Sequence, residues 1–256
     1  PTPPTTARTG PHPGAQLGGE RLILLDQAES SVTFEGIGEP PLLTINRGFS
    51  APVVVEAVRR PGELERLAQS DSDPFARYEA LQEVMLRVLI ANAQGEDADP
   101  EPVIAAIRGT LASNALDSAF KGEALTMPSE SLIGDRMETV DPDAIHAARD
   151  ALRAAIGRAL SRELGEAQAA GAAGSDLSPE AKGIRRLKTV ALALLAAGDA
   201  AAGAALAKAQ YDAADNMTDR QGGLGVLVSL QAPEREEALA DFYRRYRADT
   251  LVLDKW

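Results

Sequence analysis

A mainly α-helical protein is what this sequence predicts: stacked helical hairpins of an α-solenoid kind, preceded by a small partial β-sandwich. Three observations carry that reading. From Pro61 onward the apolar residues recur with a period near 3.6. From Asp99 on, helix-start signatures fall roughly 40 residues apart, near the period of two-helix repeats. The stretch Gly183 to Leu230 holds a nearly unbroken apolar run, Val190 to Ala197, closed by Gly198 and followed by a second small-residue helix. A helix that is apolar on more than one side has to be covered on both flanks, so this one belongs to an inner layer.

Taken in order, residues 1–19 are rich in Pro, Thr and Gly and read as a disordered tail or linker. Residues 20–59 read as the partial β-sandwich. Strand character is expected at 20–25, 31–35, 42–46 and 52–58, punctuated by Gly36, Gly38, Pro40 and Pro41. Residues 60–256 read as the all-helical domain, truncated at its C-terminal side. Its clearest helix follows Asp73, where Phe75, Tyr78, Leu81, Val84, Met85, Val88 and Leu89 share one broad face. Asp73, Asp99, Asp141 and Ser178, each followed by Pro, are expected as helix caps. Thr218 with Gln221 is expected to form a capping box. These starts predict helices near 61–69, 74–93, 100–112, 114–124, 129–136, 142–170, 179–197, 199–213, 218–230 and 233–248.

Composition narrows the function classes. The chain has 256 residues, a formal net charge of −12 and aromatics at only 4%, so its core has to come from Leu, Ala, Val and Ile. A negatively charged surface repels phosphate backbones, which argues against nucleic acid. No apolar run approaches the roughly 18–20 residues that span a bilayer, and no signal peptide is evident at the start. With no cysteine, disulfides and thiolate metal sites are excluded, and a cytoplasmic location is expected.

Constellations that could carry chemistry are few. The only histidines, His12 and His146, lack a partner at metal-ligand spacing, and no Ser-His-Asp arrangement can be assembled around them. Gly222-Gly-Leu-Gly225 follows no strand and lacks the GK[ST] ending, so it reads as a place of close helix contact, not a phosphate loop. Arg185-Arg186-Leu-Lys188 and Arg244-Arg245-Tyr-Arg247 sit among acidic residues and read as ion-paired faces. Glu163 and Glu166 read as solvated. No catalytic and no metal-binding residue is expected in this chain.

Several phrases occur together and in order: Arg47-Gly-Phe-Ser-Ala-Pro-Val53, Asp71 to Gln82, Leu125-Thr-Met-Pro-Ser-Glu130, Asp141 to Arg149, Asn216-Met-Thr-Asp219 and Asp254-Lys-Trp256. This set resembles the C-terminal half of bacterial aminopeptidase N, a zinc metallo-aminopeptidase of the thermolysin-like kind. The chain departs from the family at Thr189, where Asn is usual, and at Gln221-Gly-Gly-Leu-Gly225, where alanine is more usual. The resemblance implies the end of a β-sandwich and part of a helical domain that arches over the active site. The H-E-x-x-H zinc motif, its downstream Glu, the G-x-M-E-N motif and the catalytic Tyr have no counterpart here. The one zinc ion is therefore expected in the parent's catalytic domain and no cofactor in this chain. Asn216 and Asp219 match a family motif, with capping and turn geometry as their expected role. The partners so implied are the remainder of the parent and, in it, peptides. Ending at Lys255-Trp256 would expose apolar surface and leaves self-association through that end open. The alternative reading is a stand-alone helical-repeat scaffold that binds a protein or peptide.

Overall fold

The architecture, taken from a computed structural model, is described for residues 16–17, 20–33, 38, 41–171 and 176–256. Two compact units divide the chain, Pro1–Leu43 and Thr44–Trp256.

In the first unit, β1 (Gln16–Leu17) pairs antiparallel with β2 (Glu20–Arg21), Gln16 opposite Arg21 and Leu17 opposite Glu20. No other ladder forms among the described residues. The strands expected at 42–46 and 52–58 are therefore absent as paired elements, and of the expected 20–25 strand only Glu20–Arg21 is paired. Residues 34 and 35, the end of the remaining expected strand, lie outside the described residues, as does the expected tail apart from Gln16–Leu17. β-propensity is a fit to a pleated, half-buried surface rather than a backbone preference. Here Leu24, Leu25, Val54 and Val58 are exposed, so among the described residues no buried apolar face pins those segments into a sheet.

The second unit is helical. A short 3-10 turn, Arg47–Phe49, leads into α1 (Glu63–Ser70), α2 (Pro74–Ala93), α3 (Glu101–Ala112), α4 (Ser118–Ala124) and α5 (Glu130–Gly134). Then come α6 (Pro142–Ala159), α7 (Ser161–Ala169), α8 (Pro179–Gly198), α9 (Ala200–Ala213), α10 (Met217–Ser229), α11 (Pro233–Tyr246) and α12 (Thr250–Leu253). Most starts are closed by a side chain accepting a free N–H. Asp73 takes Ala76 N at 2.8 Å, Asp141 takes Ala144 N at 3.1 Å, and Ser178 takes Ala181 N at 3.1 Å. Each such cap contributes about 1 kcal/mol.

Two expected caps are corrected. Pro100, in helical conformation, occupies the cap position of α3, and Asp99 instead accepts from Glu101 N at 2.9 Å in a turn just ahead of it. In α10 the cap is Asn216, which accepts Asp219 N at 2.9 Å, and Thr218 is already the second helical residue. Asn216 is extended, at φ −137°, as a cap residue must be.

The single helix expected over 142–170 is two. Leu160, at φ −118° and ψ 25°, breaks it, and the second half turns away to reach α3 while the first packs on α2. The fourth expected helix is shorter than 114–124 because Asp117 starts it by capping Phe120 N. The terminal α12, capped by Asp249, falls on no expected element.

α8 touches α4, α6, α7, α9 and α10, which makes it the hub of the stack. Its approach to α6 is made by glycine on glycine. A Cβ on Gly157 would lie 2.0 Å from Leu194 O, and one on Gly198 would lie 2.6 Å from the carbonyl carbon of Gly157. The apolar core forms two clusters. The larger runs through α1 to α8 and includes Leu81, Met85, Leu89, Ile107, Ile156 and Leu164; the smaller joins α8 to α11 through Leu192, Tyr211, Leu227 and Phe242. Burying each such large side chain contributes roughly 2–3 kcal/mol.

Candidate functional site

The most constrained polar site of the helical unit joins the loop Thr44–Ala51 to the start of α2. Asp71 is its centre. Its side chain is almost wholly buried and accepts from Thr44 Oγ1 at 2.7 Å, Arg47 Nη1 at 2.7 Å and Asp73 N at 2.8 Å. Asp73 both caps α2 and accepts Gly48 N at 3.1 Å, so the loop is strapped to the helix by two neighbouring carboxylates. The loop needs that hold. Asn46 and Phe49 have φ of 58° and 52°, a left-handed conformation that costs non-glycine residues of order 1–3 kcal/mol each. The Asn46 side chain adds a brace, donating to Ala51 O at 3.0 Å and accepting Ala51 N at 2.9 Å.

What the strained loop displays is an aromatic ring. Phe49 is half exposed and leans on Phe75, with ring centroids 5.0 Å apart. Also on α2, Arg77 is buried with Nε and Nη2 unpaired. Burial pushes its guanidinium pKa down, against the pull of the Asp71 charge. The site's one hydroxyl beside a carboxylate, Thr44 on Asp71, shares that carboxylate with Arg47 and the Asp73 N–H and belongs to the strap. The chemistry of the site is positional: it holds a conformation and presents a ring.

A second polar junction links α8, α9, α10 and α11 around the Asn216–Asp219 phrase. Asp219, buried, lies with Oδ2 at 3.2 Å from Asn216 Nδ2 and 3.5 Å from Lys188 Nζ, while Oδ1 has no partner. Gln210 donates to Asp219 O at 3.1 Å and accepts from Gln168 at 3.4 Å. The Arg220 guanidinium donates to the carbonyls of Tyr211 and Ala214 and lies 5.5 Å over the Tyr211 ring. Tyr211 in turn donates to Asp241 at 3.0 Å, and Asp241 pairs with Arg244 and Arg245 at 3.2 and 2.5 Å. Burial first, then the Asp241 hydrogen bond, push the Tyr211 hydroxyl up to about 12.

The remaining sequence candidates are dispersed. His146 is exposed, with Nδ1 at 2.9 Å from Glu130 and Nε2 at 3.4 Å from Asp150, so its nitrogens face two carboxylates on different sides and do not converge on a common point. His12 lies outside the described residues. Gly222 to Gly225 fall inside α10, behind another helix, which is no setting for a phosphate loop. Arg185 is buried and donates to Asp176 O, and Arg186 donates to Thr126 at 3.0 Å. Glu163 and Glu166 are ion-paired to Arg162 at 3.4 and 2.9 Å. Among the described residues no group of three or more His, Asp or Glu could hold a metal ion, and none of their helices is long and apolar enough to cross a membrane. In the sequence the signal for the Arg47–Asp71 pairing is slight: opposite charges on Arg47, beside Gly48, and Asp71, near the helix cap Asp73.

Residues 62–256 match the family described as Domain of unknown function (DUF3458_C), ARM repeats, and the chain belongs to that family. Residues 4–58 match Domain of unknown function (DUF3458), Ig-like fold. The chain is 38% identical over 249 residues to aminopeptidase N of Caulobacter vibrioides, covering 95% of this chain and 29% of that protein. Against aminopeptidase N of Escherichia coli K12 the figures are 29% over 242 residues, 92% and 28%. Among solved structures it is similar to Legionella pneumophila aminopeptidase A in complex with aspartic acid, at TM-score 0.77 and 25% identity, covering 92% of this chain and 29% of that one. The chain is thus homologous to the C-terminal part of bacterial aminopeptidase N and spans under a third of the length of these relatives.

Proposed function

We propose that this chain is the non-catalytic region of an aminopeptidase N-like zinc metallopeptidase, and that it walls off and covers the chamber in which peptides lose their N-terminal residues. The observation that carries the reading is the continuous homology over 95% of the chain to a part of aminopeptidase N that amounts to 29% of that protein. The sequence itself adds that only two histidines are present and no H-E-x-x-H occurs. The zinc ion would be held by another domain of the parent, which we place in the cytoplasm, and its chemistry there would be activation of a water at the scissile peptide bond. What this chain supplies is a rigid stack of helices and a strapped loop that presents Phe49. Large apolar side chains in the open, among them Val54, Leu251 and Trp256, support the view that further protein covers these faces in the parent. In isolation the α11–α12 end is then available for self-association.

Incubating the purified chain with zinc and an aminoacyl anilide tests the proposal. No turnover is expected above the buffer rate. Hydrolysis that persists through repurification, and that a chelator abolishes, would place a reactive centre inside these residues and overturn it.

A further inference from the structure

A cleft of about 490 Å³ opens between the last turn of α3, α4, α7 and α8, a size that accommodates a small organic ligand. Five charged groups line it, and four of them answer one another. Arg108 lies 3.6 Å from Glu101, outside the cleft, and 3.9 Å from Glu163 within it, while Arg162 lies 3.4 Å from Glu163 and 2.9 Å from Glu166.

Lys121 is the exception. Its ammonium, half buried on α4, donates to the Leu111 carbonyl at 3.0 Å, and among the described residues no carboxylate pairs with it. Burial pushes its pKa down, and the two carboxylates of the cleft, Glu163 and Glu166, are held by Arg162 instead. A carbonyl satisfies one N–H but does not neutralise a charge, so a partly desolvated cation is left without a counter-ion. Beside it the wall is apolar, formed by Leu111, Ala112, Ala167 and Leu187.

We propose that this cleft binds a monocarboxylate bearing a short apolar chain, with Lys121 as the counter-ion and the leucine and alanine side chains as the seat for the chain. The same chemistry is offered by a short fatty acid and by the free C-terminus of a peptide with an apolar last residue. Acetyl-alanyl-leucine and hexanoate represent the two sources, and hexanamide keeps the tail while removing the charge.

The test is a titration of each probe into the full chain, followed by two-dimensional NMR or calorimetry. At least one carboxylate is expected to saturate, and hexanamide to bind about tenfold more weakly or worse. Lys121→Met, which keeps the aliphatic stem, should weaken carboxylate binding about tenfold, and Lys121→Arg should largely restore it. Ala112→Trp, at an exposed position on the cleft wall, should block both carboxylates without touching the ammonium, which guards against a folding defect in the lysine variants. Tighter binding of the peptide acid assigns the site to peptide C-termini, and tighter binding of hexanoate to fatty acids. Equal binding of the amide, unchanged affinity in Lys121→Met, or no saturation by either acid below roughly 50 mM would overturn the proposal.

Discussion

Gly222, Gly223 and Gly225 occupy one turn of α10, yet their surroundings differ. A Cβ on Gly223 would lie 2.8 Å from Ala207 O and 3.0 Å from Tyr211 N, backbone atoms of α9 that cannot step aside. One on Gly222 would lie 2.6 Å from Thr189 Oγ1, a side chain that can be removed, and one on Gly225 would meet nothing. Helix propensity favours alanine over glycine by about 1 kcal/mol at all three. Gly225→Ala should therefore stabilise by about 1 kcal/mol in urea denaturation, and Gly223→Ala should destabilise by roughly 2–3 kcal/mol as the helices are forced apart. Thr189 on α8 faces Gly222 on α10, so the two positions should be coupled. Gly222→Ala should cost about 1–2 kcal/mol alone and close to nothing in a Thr189→Ala background; simple additivity would refute the coupling. Tyr211 makes a separate prediction at alkaline pH. Its folded pKa is raised from 10 to about 12, so the contribution is whole below 10 and is lost as the pH climbs through 12. Wild type should lose stability across that interval more steeply than Tyr211→Phe, and parallel curves would contradict the assignment.

Among the elements, α10 separates two readings of one start. With Asn216 as the cap, Asn216→Ala should cost about 1 kcal/mol or more, because it also removes a partner of the buried Asp219 carboxylate. Thr218→Ala, inside the helix, should cost a few tenths at most; the reverse order in thermal melts would restore Thr218 to the cap. The tie between α5 and α6 is set by pH. The Glu130 hydrogen bond, then the charges of Asp150 and Glu130, hold His146 above its ordinary 6.5, with Arg149 opposing, while chiefly the His146 hydrogen bond holds Glu130 below 4.5. A raised histidine stabilises fully below its ordinary value and ceases to as the pH rises through the raised one; Glu130 sets the acid limit in the opposite sense. The Tm difference between wild type and His146→Gln should be present near about pH 5.5 and small near about pH 8.5. Elements of this kind are legible in sequence where the signal is local: the face from Phe75 to Leu89 and the Asp-Pro starts need no distant partner. The break at Leu160 is not, because neither Gly nor Pro stands at it, and α7 beyond it packs mainly on α8, which only the fold brings alongside. Nor is strand pairing, since Val53 to Val55 have strand propensity but no partner strand among the described residues. The loop site needs Arg47 beside Asp71, two residues far apart in the chain, and only the fold brings them together.

At the scale of the whole helical unit, α8 decides how the stack holds together. Its run Val190–Ala197 is apolar on more than one side, and the two sides go to different places: Ala191 and Leu194 join Leu187, a turn earlier, in the larger cluster, and Leu192 and Ala196 go to the smaller. The smaller cluster leans on alanines, Ala196, Ala204, Ala207 and Ala238, which bury little area each. Its large fully buried side chains are Leu192, Tyr211, Leu227 and Phe242. In a stack where helices contact mainly their neighbours, such an end opens before the centre does. Amide exchange should therefore show α9 to α11 exposing at a lower free energy than α2 and α6, with α8 among the last to open. Leu192→Ala should cost roughly 2–5 kcal/mol and lower the opening energy of α9 to α11 while leaving that of α2 nearly unchanged. Met85→Ala, of similar cost, sits in the larger cluster and should lower the protection of α2 and α6 instead. If both variants lower every helix by the same amount, the unit unfolds as one body and α8 is not a hinge between two clusters.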